Sequence, residues 1–449
     1  MNAKDLPGGS SERHFGDVVD RALAFVEPMR VRGRVVEATG GIVKATGVHA
    51  AVGETCELFD RRGQTLGVAE VIGFADQWTF LSPLGRITGL SPRVEVMPLG
   101  AMHRIPVCTA LRGRVLDGYG APMDGGEPMV TTATVAVDAE PPDPLTRAPV
   151  QQRFVTGVRA IDALMTCGVG QRVGVFAPPG VGKSTLLASL ATQAGVDTVV
   201  VALVGERGRE VGDFVRTINA RNATHRTVIV AATSDRPAME RIKAAQVATA
   251  IAEYFRDQGQ HVLLLVDSLT RLARAQREIG LAMGEPPTRR GFPPSVFSML
   301  PRLLERAGAG KTGAISAFYS VLVDGEESED PIAEEVKAIV DGHISMTRSL
   351  AAAAHFPAID ILASTSRIMD SIVDQRHGAL AAEVRKLAAR YREIEMLVQI
   401  GEYAKGVDVV ADRAIALRPA LQAFLQQGSA DGAGDFGQTI DRLSRILTA

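Results

Sequence analysis

The spacing of apolar residues changes character several times along the chain, and each change predicts a different kind of element. Phe15, Val18, Val19, Ala22, Leu23 and Val26 form one helical stripe, with Arg13, Asp17, Asp20 and Arg21 on the opposite face. That stripe either receives a partner or packs on the protein's own next domain. Residues 1–11 carry no such pattern and read as disordered. From Val31 to about Pro98 the apolar runs become short and alternating. Gly40-Gly41, Gly47, Arg61-Arg62-Gly63, Asp76 and Ser82-Pro83 punctuate them, which predicts a small closed β-barrel.

After Arg112–Gly118 and a proline-rich link from Pro141 to Pro149, strands and helices alternate to about Ser364. The expected strands are Val173–Phe176, Thr198–Val204, Thr227–Ala231, Val262–Val266, Ile315–Val323 and Ile359–Leu362. They are apolar throughout, as in a parallel sheet covered on both faces. From Ile372 the pattern is helical: Leu380, Val384, Leu387, Tyr391 and Ile394 step by four and three. Gly401 ends this helix, Glu402–Asp408 forms a polar loop, a second helix runs to about Gln427, and a short one covers Thr439 to Leu447. The division expected is 1–28 (N-terminal segment and helix), 29–100 (barrel), 101–370 (α/β domain) and 371–449 (helical domain).

A chain of 449 residues exceeds what one core supports, in keeping with several domains. Net charge of -2 and a pI near 6.5 supply no global attraction to nucleic acid or acidic membranes. Cys56, Cys108 and Cys167 are odd in number and widely spaced, which fits neither a disulfide framework nor a zinc site. The early residues include Asp5, Glu12 and Arg13 without an apolar stretch, so no secretory signal is expected there. The longest apolar runs fall short of a membrane span, and the chain reads as soluble and intracellular.

The chemistry begins at Phe176-Ala177-Pro178-Pro179-Gly180-Val181-Gly182-Lys183-Ser184-Thr185, set between an apolar run and a helix-forming Leu186–Leu190. Such a strand–loop–helix holds the phosphates of a nucleoside triphosphate through backbone N–H groups and the helix dipole. Pro178 and Pro179 have no N–H, so the cradle falls to Gly180 through Thr185. Lys183 adds a point charge, and the Ser184 hydroxyl suits a Mg²⁺ ligand.

Polar residues recur where the other apolar runs end, the place where ligands sit in open α/β sheets. Gly205-Glu206-Arg207-Gly208-Arg209-Glu210 follows the second run. Glu206 there can polarise a water, and the adjacent guanidinium can steady charge on the phosphoryl oxygens; a solvated Glu/Arg turn is the alternative. Asp267 ends the fourth run and suits Mg²⁺, or the capping of the helix that Ser268–Arg271 begins. Arg367 follows Ala363–Ser366 and is placed either for a finger into a neighbouring subunit or for a structural ion pair, which spacing alone favours.

Together, Phe176–Thr185, Val204–Glu210, Leu265–Arg271, Arg290–Phe297, Ala317–Val323 and Phe356–Arg367 resemble the export ATPases of type III secretion systems, flagellar and injectisome. That family is related to the catalytic subunit of rotary ATP synthase. The resemblance runs from Val31 to Gln427 and implies a RecA-like P-loop core between a β-barrel and a helical C-terminal domain. It implies a homohexameric ATPase using ATP and Mg²⁺ to release chaperones and unfold substrates. Carried onto this sequence, it makes Pro179 through Thr185 nucleotide-binding and Glu206 the catalytic carboxylate. Arg207 becomes a γ-phosphate contact, Glu210 and Asp267 hold the Mg²⁺ water shell, and Arg271 supports that site. Phe356 stacks on adenine, and Arg367 is the finger from the adjacent subunit. Glu402–Asp408 matches a region facing a central stalk, and the N-terminal helix a segment bound by a stator-like regulator. The cytoplasmic face of the membrane apparatus is the implied location.

Three other readings meet contrary residues. A non-catalytic ring subunit expects an amide or apolar residue at Glu206. A nucleic-acid translocase expects a basic, aromatic barrel, whereas Phe59, Phe74, Trp78 and Phe80 are the aromatics here and acidic residues are interspersed; a structural collar is expected and no nucleic-acid partner. Against an ATP synthase-type subunit, Gly291-Phe292-Pro293-Pro294 and Ala317–Val323 look more like the export branch.

Overall fold

A computed structural model describes residues 32–448 apart from 40, 86, 132, 324–329, 429, 430, 432 and 433. The helix expected over Phe15–Val26 lies outside the described residues. The chain divides into two compact units, Met1–Ala101 and Met102–Ala449.

In the first unit β1 (Gly33–Thr39), β2 (Ile42–Thr46), β3 (Glu54–Phe59), β4 (Thr65–Ala75), β5 (Trp78–Pro83) and β6 (Glu95–Met102) close a barrel in the order β1-β2-β5-β4-β3-β6. The expected barrel is present. Val35, Val43, Cys56, Leu58, Val71, Leu81 and Val96 fill its interior, and the alternation of the strands turns their other residues outward. Closure is tight at Gly33, where a Cβ would stand 2.7 Å from the Thr46 carbonyl oxygen.

The second unit is built on a nine-stranded sheet. Across it run Thr365–Ser366, Gly342–Ser345, Arg172–Ala177, Ala314–Leu322, His261–Asp267, Thr198–Val204, Thr227–Ala232 and Val115–Asp117, with Gly308–Ala309 pairing beside Ala314–Leu322. From Gly342–Ser345 to Val115–Asp117 every pairing along this path is parallel. Helices cover both faces, so Thr198–Val204 is buried at every position and reads as one apolar run.

Two expectations about the sheet need correction. Ile359–Leu362 is not a strand: Ile359 makes one isolated bridge to Met346, and the chain then turns. The Asp360 carboxylate accepts the N–H groups of Leu362 (2.9 Å) and Ala363 (3.2 Å), and this local bonding outcompetes extension. The positions beyond the loop strand are filled by Gly342–Ser345 and the antiparallel Thr365–Ser366. At the opposite edge the segment after Arg112, for which no strand was expected, contributes Val115–Asp117.

The C-terminal helices are Gln375–Gln399, Val409–Leu425 and Phe436–Thr448. Asp374 and Asp408 cap the first two with their carboxylates. Among the described residues no helix is long and apolar enough to cross a membrane, and all three cysteines are free.

Candidate active site

The loop after Arg172–Ala177 opens into the helix Lys183–Gln193. Gly180 (φ 84°) and Gly182 (φ 89°) take left-handed conformations that a side chain disfavours, which is why glycine stands there. Gly182 caps the helix without a side chain, and its carbonyl accepts the first helical bond, from Leu186 N–H. The N–H groups of Lys183, Ser184 and Thr185 therefore have no intrahelical acceptor and are available to an anion.

Because the strands are parallel, the ends of three neighbours meet this loop on one side of the sheet. Lys183 is buried, and its Nζ donates to Asp267 Oδ1 and, at 3.4 Å, to Ser320 Oγ. Ser320 Oγ donates to the same Asp267 oxygen at 2.6 Å. Asp267 caps no helix; its carboxylate is committed to Lys183 and Ser320, and the N-terminus of Leu269–Ala282 has no side-chain cap.

Glu206 is buried just past Thr198–Val204. Its Oε2 lies 3.1 Å from Arg271 Nη2, while Arg271 Nη1 donates to the Gly205 carbonyl. Its Oε1 stands 3.9 Å from Lys183 Nζ and has no hydrogen-bond partner. Burial, then the neighbouring Glu210 carboxyl and the Asp267 charge, push Glu206 up to about 8, against the opposing pull of Lys183 and Arg271. Glu210 is moved the other way, chiefly by Glu206. Of the turn, Arg207 is the solvated member: its side chain is 77% exposed and pairs with Glu210 at 3.3 Å.

Beside the loop lies a pocket of about 370 Å³ whose walls include Gly182, Thr185, Gln193, Phe356, Pro357 and Gln427. Phe356 is 46% exposed. Ser184 and Thr185 are exposed at the start of the helix. Among the described residues no group of three His, Cys, Asp or Glu could hold a metal unaided. The donors present, one hydroxyl and one or two carboxylates, suit a Mg²⁺ that keeps its waters and takes phosphate oxygens. Arg367 is exposed at the sheet edge beyond Thr365–Ser366, with its guanidinium on the Lys337 carbonyl at 3.1 Å.

Residues 157–366 match the nucleotide-binding domain of the ATP synthase alpha/beta family, and 373–445 match the EscN-type C-terminal domain of type III secretion ATPases. A type 3 secretion system ATPase of Xanthomonas euvesicatoria is 50% identical over 428 residues, 95% of this chain and 97% of that one. The chain belongs to the type III secretion ATPase family. A flagellum-specific ATP synthase of Salmonella typhimurium is 46% identical over 96% of this chain and 97% of its own length. The assembled ATPase EscN of enteropathogenic E. coli superimposes with a TM-score of 0.87 at 47% identity, covering 92% of this chain and all of that one. EscN with its central stalk EscO gives 0.85. Membership makes this protein an ATPase of type III secretion with a nucleotide substrate. It also bears out the RecA-like core between barrel and helical region.

The structure thus brings Lys183, Glu206 and Asp267 together, with Glu210 beside Glu206 and Phe356 beside the loop. It does not bring Arg207 or Arg367 onto Lys183 or Asp267 within one chain. Three participants escaped sequence reading. Ser320 is one of three hydroxyl residues in an otherwise apolar strand, with nothing in the sequence to set it apart from Ser316 and Tyr319. Arg159 and Gln427, which tie the pocket wall together, are partners across 268 residues.

Proposed function

We propose that this ATPase hydrolyses Mg-ATP at the interfaces of a homohexamer. Its cycle releases chaperones and unfolds substrates at the cytoplasmic face of a membrane secretion apparatus. The observation that carries this reading is Glu206: a carboxyl, not an amide, buried beside Lys183 and Asp267 with one oxygen unpartnered. A raised proton affinity suits it to take a proton from an attacking water near neutral pH.

The loop Pro179–Thr185 receives the phosphates, with Lys183 turning from Asp267 to the phosphate oxygens. Ser184, Asp267 and Glu210 would hold Mg²⁺ and its waters; the ion, when bound, offsets charge on the phosphates. Arg207, exposed and paired with Glu210, is within the turn that can fold onto the γ-phosphate. Phe356 offers a ring for the adenine. Arg367, exposed at the sheet edge, serves the neighbour's site. A barrel collar (29–100), an ATPase domain (101–370) and a helical domain (371–449) follow an N-terminal segment (1–28) that receives a stator-like regulator. The tip between the long C-terminal helices exposes Met396, Ile400, Val407 and Val409, an apolar surface fitted to a helical stalk; EscN's structure with its stalk supports this.

Glu206→Gln is the test. Turnover should fall by about 10²- to 10⁴-fold with nucleotide affinity retained. Equal loss of binding would make Glu206 a structural residue and remove the basis of this mechanism.

A further inference from the structure

Ser320 has no role in what is argued above, yet it occupies the centre of the site. Its strand, Ala314–Leu322, lies between the loop strand and the strand that ends in Asp267. The register sets Ser320 opposite Val175 on one side, and its neighbour Tyr319 opposite Val266 on the other. A side chain at this position reaches both the loop and the acid. The residue is fully buried. A hydroxyl has one proton to give; here it goes to Asp267 Oδ1 at 2.6 Å, in the range of a charge-assisted bond, and the oxygen accepts from Lys183 at 3.4 Å.

We infer that Ser320 is a positioning residue that keeps the Asp267 carboxylate aimed when Lys183 leaves it for the phosphates. The inference rests on the site assignment proposed above and deepens it. In the structure two donors fix Asp267 Oδ1, Lys183 and Ser320. Binding of triphosphate draws Lys183 away, and the serine bond then holds the carboxylate alone. Its partner in the pair is a strand residue without freedom to follow the ligand. Removing the hydroxyl leaves Asp267 free to rotate at the moment when its second oxygen is needed by the metal's waters. The effect should therefore appear in the coupling between metal and nucleotide, not in nucleotide binding itself.

The experiment measures fluorescent ATP-analogue affinity of the full chain with and without Mg²⁺, for wild type, Ser320→Ala, Ser320→Thr and Asp267→Asn. Ser320→Ala should bind metal-free nucleotide within about twofold of wild type and lose about tenfold of the gain that Mg²⁺ confers, the usual weight of a bond to a charged group. Ser320→Thr, which restores a hydroxyl, should recover most of that gain. An unfolding midpoint for each variant accompanies the titrations. Ser320→Ala with an undiminished Mg²⁺ gain, or with affinity lost equally in both conditions, overturns the inference. Asp267→Asn separates the two levels: if it keeps the Mg²⁺ gain, the metal role of Asp267 fails; if it loses the gain while Ser320→Ala keeps it, only the serine's role fails.

Discussion

Asp267, Lys183, Glu206 and Arg271 form a chain of contacts between opposite charges, each paired with the next. Buried charges of this kind hold only while paired, so a ligand that takes Lys183 must leave its former partners satisfied by something else. The unpartnered Glu206 oxygen and the serine on Asp267 are where that redistribution would fall. Burial disfavours charge whichever sign it carries, and His103 shows the opposite case. Burial first, and Lys243 next, lower this imidazole from 6.5 to about 4, while a bond with the Tyr119 backbone opposes them. A group whose folded value is depressed gives stability that is present above the unfolded value and is lost as pH falls. The protein should lose on the order of 1–2 kcal/mol between pH ~7 and pH ~5 through this residue. Urea midpoints at the two pH values, compared with those of His103→Leu, check it: the variant should show a smaller drop, and an unchanged drop would clear His103 of the effect.

At the scale of elements, legibility depended on whether a signal was local. Asp267 ends an apolar run, Glu206 stands one glycine past another, and Lys183 closes the Gly-rich loop that follows a third; period and composition break at each, and so they could be read. The strand expected at Ile359–Leu362 was misread because Ile and Leu there serve a turn that the Asp360 carboxylate organises. Val115–Asp117 is too short to show a period. The wall of the pocket beside the loop was illegible because its residues come from opposite ends of the second unit. Arg159 Nε donates to the Phe424 carbonyl at 3.0 Å, at the end of the helix Val409–Leu425. Gln427 Nε2 donates to the Gly157 carbonyl, its Oε1 accepts Arg159 N–H, and its own N–H bonds the Phe356 carbonyl, each at 2.8 Å. One donor and one acceptor of the Gln427 amide are thus committed to holding the helical region against the pocket. Gln427→Ala should raise the KM for ATP several-fold with kcat little changed, at a stability cost of about 1–3 kcal/mol. Steady-state kinetics at several ATP concentrations decides it; a fall in kcat at constant KM would place Gln427 in the chemistry instead.

For the whole molecule, the single chain brings the Glu206 carboxyl to the Lys183 loop and bonds the Arg367 guanidinium elsewhere, to the Lys337 carbonyl. Arg367 N–H bonds the Asp341 carbonyl and its guanidinium the Lys337 carbonyl, so the edge of the sheet fixes its base while leaving it exposed. The proposed trans role has this exposed arginine meet a phosphate held by a second copy, the arrangement a heterologous ring contact creates. Complementation follows from that geometry. Lys183→Ala removes the loop's charge but keeps Arg367; Arg367→Ala keeps the loop and lacks the finger. Each alone should be nearly inactive. In randomly mixed rings made from equal parts, about one interface in four pairs an intact loop with an intact finger, so activity should rise toward about a quarter of wild type. ATPase assays of co-assembled protein, against the sum of the separate variants, provide the measurement. Activity no greater than that sum would mean that loop and arginine do not meet across copies, and Arg367 would then be an edge residue of the fold.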